Sequence, residues 1–238
     1  MSAADLIAAL VVTFIAAAIQ GVVGMGFALV SVPILALVDP SLAPVPQLLV
    51  TLPLTAMMAW RERKHIQPSG IGWIIGGRLP GAIIGVGLLA VATQQILDLA
   101  IAAVVIGAVV IIASGFHLVR TPASEFGTGV LSGISGLVAS IGGPPVALLY
   151  TRDDGPTIRS NLAAIFTIGL LITISARALS GNISVSDLRV ALIIFPALVA
   201  GYAVSLRFKN RVSQSLVRNA VLIISVLGAI GLIARAIG

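Results

Sequence analysis

GISGLVASIGGPP, residues 133–145, places four glycines and two prolines inside a long apolar segment, and GVVGMGFALVSVP, residues 21–33, places three glycines and a proline in another. Glycine costs a helix interior about 1 kcal/mol and proline about 3 relative to alanine. Each stretch is therefore predicted to interrupt its helix. Sliding one onto the other by 112 positions lays Gly21 on Gly133, Gly24 on Gly136 and Pro33 on Pro145. A second match, Pro80 and Gly85 against Pro196 and Gly201, stands at 116, and a four-residue difference in loop length is expected to account for the shift. The competing reading is chance agreement in a glycine-rich chain. Two matches in the same order weigh against it.

Of the 238 residues 58% are hydrophobic and 9% charged, against about 25% charged in an ordinary soluble domain. Apolar runs of about 20 residues recur along the chain, each long enough to cross about 30 Å of hydrocarbon. The composition implies an all-α, polytopic protein of the inner or plasma membrane, with the lipid bilayer as partner and eight to ten membrane elements. A net charge of +6 raises the question of nucleic acid, but the basic residues are scattered through short loops with little aromatic interleaving. Cytoplasmic-loop bias is the simpler account, and no nucleic-acid partner is expected. The absence of cysteine removes disulfides and thiolate metal sites. The first twenty residues carry Asp5 and no Lys or Arg, so the N-terminal apolar stretch is expected to stay as a span rather than act as a cleaved signal.

Predicted spans cover 6–20, 27–38, 42–60, 70–90 and 95–119, then a broken segment at 126–150 and spans at 157–179, 188–206 and 215–236. This divides the chain into a first repeat, 1–119, a connecting loop, 120–125, and a second repeat, 126–238. If each broken segment crosses once, there are eight crossings and the basic residues split almost evenly. If each goes across and back, there are ten. Arg61, Arg63, Lys64, Arg120, Arg152, Arg159, Arg207, Lys209, Arg211 and Arg218 then face Arg177, Arg189 and Arg235 across the membrane. The positive-inside rule favours the second arrangement, which makes the halves inverted repeats.

Inverted repeats with interrupted helices recur in secondary transporters, because irregular backbone survives at membrane depth only where it lines a cavity or is buried in protein. Half-helix N-termini suit an anion. The candidate substrate-binding residues are Gly24, Met25, Gly26, Gly142, Gly143 and Pro144 at the breaks, Ser31 and Ser140 beside them, and Thr51, Arg78 and Asn161. Each has a plainer reading. The glycines can serve close helix packing, the serines can bond back to their own helix, and Asn161 can be a helix-helix bond. Arg78, eight residues into its span, is either an anion-facing charge or an interfacial arginine that snorkels. The acidic residues map to loops or span ends, which leaves proton antiport without its usual relay. No catalytic group, cofactor or buried metal site is expected, since there is no paired carboxylate or mid-span histidine.

The paired glycine-rich motifs, the run from Gly142 to Pro145 followed by Arg159 and Phe166, and the duplicated hydrophobic plan resemble the sulfite exporter TauE/SafE family across about 6–236. Members often carry a fuller glycine run in the first motif and a Thr-Ser pair in the next helix. This chain has Gly24-Met25-Gly26-Phe27 there and only Thr51 or Thr55 nearby. The resemblance implies a permease for sulfite, sulfonates or related sulfur-containing anions. The alternatives are a transporter of a non-sulfur solute or a membrane scaffold without substrate.

Overall fold

The computed structural model describes residues 2–151, 153–208 and 213–237, and among them there are ten α-helices and no strand. They are α1 (Ala3–Val23), α2 (Phe27–Val38), α3 (Val45–Glu62), α4 (Ile71–Ala90), α5 (Gln94–Ala113), α6 (Pro122–Ala139), α7 (Gly143–Ala147), α8 (Gly155–Leu179), α9 (Val185–Phe208) and α10 (Gln214–Ile237). Seven are long and apolar enough to cross a membrane: α1, α3, α4, α5, α8, α9 and α10. The chain is a multi-pass membrane protein. Large apolar side chains such as Ile83, Val110 and Leu192 stand exposed on the outer faces of the bundle, as hydrocarbon rather than water requires.

Helix ends follow local chemistry. Ser2 and Asp5 form a capping box at α1, and Thr121 and Ser124 form another at α6, with Pro122 in its permitted first turn. That second box moves a boundary. Residues 122–125, read from sequence as connector, open α6, and the connection runs from 114 to 121 because α5 stops at Ala113.

Both breaks are where the sequence placed them. α1 ends on Gly24, in left-handed backbone at φ 93°, and α2 starts after Gly26, at φ 115°. Ser140 ends α6 in the same region, at φ 57°. The register between the halves differs from the sequence expectation. α1 and α6 end at Val23 and Ala139, and α2 and α7 begin at Phe27 and Gly143, each 116 apart. This is the spacing of Pro80 and Pro196, so the offset of 112 was one helical turn out of register and no loop difference is needed. Residues four apart share a helix face, so a glycine pattern matches itself after such a slip.

Side-chain bonds fix which connections share an end of the bundle. At one end Arg120 donates to the Ser69 carbonyl, the Leu118 N–H to the Leu148 carbonyl at 3.2 Å, and the Gln67 N–H to Asn161 Oδ1 at 2.8 Å. At the other Arg235 donates to Asp98 at 2.7 and 2.9 Å and to the Ala36 carbonyl, and Gln95 donates to the Ala236 carbonyl at 2.7 Å. Single crossing by each broken segment would put Asp98 and Arg235 on opposite sides. Instead α2 and α7 fold back. At 1.5 Å per residue α2 is about 18 Å long and α7 about 8 Å, both short of a full crossing.

The helices pair in matched sets. α1 packs on α9 as α6 packs on α4, α3 on α9 as α8 on α4, and α3 meets α8 as α5 meets α10. Exchanging the first five helices for the last five carries these pairings onto one another, whereas among the described residues the packing of α2 on α5 has no such counterpart between α7 and α10. Glycines permit the closest of them. A Cβ on Gly81 of α4 would lie 2.3 Å from the Val130 carbonyl oxygen of α6, and one on Gly201 of α9 would lie 2.1 Å from the Phe14 carbonyl oxygen of α1. The packing reading of the glycines holds for these positions and for Gly21, Gly133 and Gly142, the last with its Cβ position 2.8 Å from the Ser132 carbonyl oxygen, while the left-handed backbones of Gly24 and Gly26 shape the first break and that of Ser140 the second.

Candidate functional site

The two breaks meet at one cavity. Met25, Gly26 and Ala28 line it from the first, and Ile141, Gly142 and Pro144 from the second, three pairs of positions each 116 apart. α3 contributes Leu48 and Thr51, α4 Arg78, and α8 Phe166, Leu170 and Thr173. The walls leave about 50 Å³ to the centres of water-sized groups, room for about three or four waters or one small oxyanion.

Arg78 decides the electrostatics. It is 3% exposed, and Nη1 donates to Ser132 Oγ at 2.6 Å while Nη2 donates to Thr173 Oγ1 at 3.4 Å. Its Nε has no partner. Ser132 Oγ donates to the Gly142 carbonyl and Thr173 Oγ1 to the Gly169 carbonyl, so both hydroxyls are oriented to accept from the guanidinium. Two neutral acceptors leave the formal charge uncompensated. No Asp or Glu stands in the cavity wall. Buried carboxylates are engaged at the ends of the bundle, Glu62 by Arg159, Glu125 by Arg120 and Asp98 by Arg235. An unpaired buried cation is costly, and a bound anion would relieve that cost.

Gly169 of α8 makes the guanidinium's place. A Cβ there would lie 2.3 Å from Arg78 Cζ. Gly136 is the next closest wall, its Cβ position 3.3 Å from Nη2. Arg177 braces the same break from behind, donating from Nε to the Leu137 carbonyl at 2.9 Å and from Nη2 to the Val138 carbonyl at 3.3 Å. It satisfies carbonyls that the end of α6 leaves open.

The helix termini contribute less than the sequence suggested. The side-chain oxygen of Gln20 already accepts from the Phe27 N–H at 2.9 Å, capping α2. α7 has five residues, and Pro144 and Pro145 remove two of its first N–H groups. The cavity's attraction for an anion therefore rests on Arg78.

Eight of the sequence-predicted residues line the cavity: Met25, Gly26, Thr51, Arg78, Ser140, Gly142, Gly143 and Pro144. Three do not. Gly24 packs against Arg159, its Cβ position 3.1 Å from the Arg159 Cα. Ser31 is fully buried within α2, and Asn161 accepts from Gln67 near the basic connections. Sequence reasoning missed Gln20, Ser132, Gly169 and Thr173, small or polar residues four or more helices distant from Arg78 or from the other break. Only a fold brings them together.

A second chamber, of about 420 Å³ on the same measure, lies towards the end where the 114–121 and 148–154 connections sit. Arg218 lines it, and the guanidinium of Arg120 stacks over Tyr150 in its wall at 4.7 Å. Burial raises the Tyr150 phenol to about 12, so the phenol is neutral at physiological pH.

A polytopic helical bundle whose broken segments converge on one buried cavity has the architecture of a membrane transporter. The chain belongs to the sulfite exporter TauE/SafE family, which it matches over residues 9–232. No curated protein and no solved structure matches it.

Proposed function

We propose that this protein carries a small sulfur oxyanion, sulfite or a close relative, across the plasma membrane, binding it at Arg78 between the two breaks. The observation that carries this reading is the Arg78 guanidinium: buried, without a carboxylate, and in a cavity lined by residues of both breaks. The cavity volume favours an inorganic oxyanion over a longer sulfonate such as taurine, which would need the walls to part. The halves 1–119 and 126–238 act as inverted repeats that rock about the site in alternating access, a reading supported by the matched helix pairings.

The end bearing Arg61, Arg63, Lys64, Arg120, Arg159, Arg207 and Arg218 faces the cytoplasm, and Arg177, Arg189 and Arg235 face outward. Arg152, Lys209 and Arg211, assigned to the first group from sequence, lie outside the described residues. An inside-negative potential drives an anion outward by about 2.3 kcal/mol per charge per 100 mV, so export needs no proton relay.

Thermal unfolding of the detergent-purified protein against sulfite, sulfate, thiosulfate, sulfoacetate, taurine and acetate tests the site. Saturation at about a hundred times the dissociation constant stabilises by about 2.7 kcal/mol. Sulfite is expected to raise the melting temperature of wild type and not of Arg78→Gln. Flat curves for every anion, or an unchanged sulfite response in Arg78→Gln, would reject the site.

A further inference from the structure

Met25 and Pro144 belong to two walls at once. Both line the Arg78 cavity, and both line the larger chamber towards the basic end. They come from opposite breaks, so the partition between the chambers is formed by one residue of each repeat. Met25 stands between Gly24 and Gly26, whose left-handed backbones at φ 93° and 115° fix where its Cα sits. Its side chain is an unbranched thioether with three rotatable bonds. It is partly exposed and packs against the buried group of Leu48, Phe166 and Leu162.

The positions 116 residues away have another environment. Ile141 and Ala28, the counterparts of Met25 and Pro144, also line the Arg78 cavity, but neither reaches the second chamber. Ile141 is 1% exposed. Its neighbourhood is tied shut: Ser140 donates to the Pro44 carbonyl at 3.2 Å, and Arg177 holds the Leu137 and Val138 carbonyls. Beyond them Arg235 bridges α10, α5 and the end of α2. Equivalent residues of the two halves are thus in unlike states, one beside a chamber and one sealed.

We propose that Met25 with Pro144 is the gate on the basic side, that Ile141 with Ala28 is its counterpart on the other, and that this structure is the state accessible from the basic end. The proposal rests on the reading of the Arg78 cavity as the substrate site. Arg218, exposed at the chamber wall, gathers anions at its mouth.

The natural absence of cysteine makes the gate measurable without transport. Thr51 lines the cavity behind Met25, and Thr51→Cys is exposed to the impermeant anionic reagent 2-sulfonatoethyl methanethiosulfonate in intact cells and in inverted vesicles. Ser69→Cys marks which preparation presents the basic face. Modification of Thr51→Cys is expected from the basic face, at a rate set by how often the walls part to admit the sulfonate. Adding Met25→Ala raises its rate about tenfold and Met25→Trp lowers it about tenfold, each equivalent to about 1.4 kcal/mol in the barrier. Met25→Leu, of similar volume, keeps the original rate and controls for folding. Equal rates in the Ala, Trp and Leu variants, or faster modification from the opposite face, would overturn the gate.

Sulfite separates the two ideas. Protection of Thr51→Cys by sulfite without any dependence on Met25 keeps the site and removes the gate. Dependence on Met25 without protection keeps the gate and removes the anion site.

Discussion

A single glycine decides whether Arg78 faces the cavity. Gly169 leaves the space in which the guanidinium lies flat against α8, and an alanine there would overlap Cζ and Nε, both 2.3 Å from the new methyl. The clash is with the far end of a flexible side chain, so the arginine yields and the backbone stays. Gly169→Ala is expected to behave as Arg78→Gln does, with no sulfite-dependent rise in melting temperature. A wild-type response from it would show that the guanidinium is not held where Ser132 and Thr173 receive it. Arg78 was visible in the sequence as a charge inside a span, but its role was not. Whether such an arginine snorkels or turns inward depends on what the neighbouring helices offer, and Ser132, Gly169 and Thr173 come from α6 and α8, more than fifty residues along the chain. The glycines told more, because an interrupted helix is a local event. Gly24 and Gly26 break the first helix for reasons contained in a few residues.

The elements carry two further expectations. Gln20 receives the first N–H of α2 inside the protein, at 3% exposure. Gln20→Leu leaves that donor buried and unpaired at a cost of about 1–3 kcal/mol, seen as a lower denaturation midpoint without ligand. An unchanged midpoint would show that another group receives the Phe27 N–H. Glu62, at the end of α3, accepts from Arg159 Nε at 3.1 Å through each oxygen, tying α3 to the start of α8. Removing one partner of a buried pair costs about 3–5 kcal/mol, so Glu62→Gln is expected to lower the midpoint strongly. Arg159→Met in the same background then adds little, because the two losses share one interaction. Additive effects would mean that the pair does not couple. The start of α6 was missed although its capping chemistry at Thr121 and Pro122 is local, because the polar composition of 120–125 concealed it. The four-residue slip between the repeats was not legible, since glycine and proline spaced by one turn fit either register, and only the helix ends separate them.

At the scale of the molecule the question is which connections share a side. Arg120 on Ser69 and Leu118 on Leu148 place 63–70, 114–121 and 148–154 together, and Arg235 on Asp98 and Ala36 places the C-terminal end of α10 with the start of α5. α9 and α10 then connect at the first of these ends, and the N-terminus of α1 lies at the second. Single cysteines at Ser2, Ser69 and Ser213, all exposed, read this directly with an impermeant maleimide. Ser69→Cys and Ser213→Cys are expected to label from one side, and Ser2→Cys from the other. The positive-inside rule makes the shared side cytoplasmic, so in intact cells only Ser2→Cys labels, and in inverted vesicles the other two do. Labelling of Ser69 and Ser213 from opposite sides would mean that one of the broken segments crosses fully, and the inverted repeat would fall with it. Labelling of both from the cell exterior would keep the repeat and reverse the protein in the membrane. In that case the chamber beside Met25 would face outward, and the potential that favours anion export would oppose entry through it.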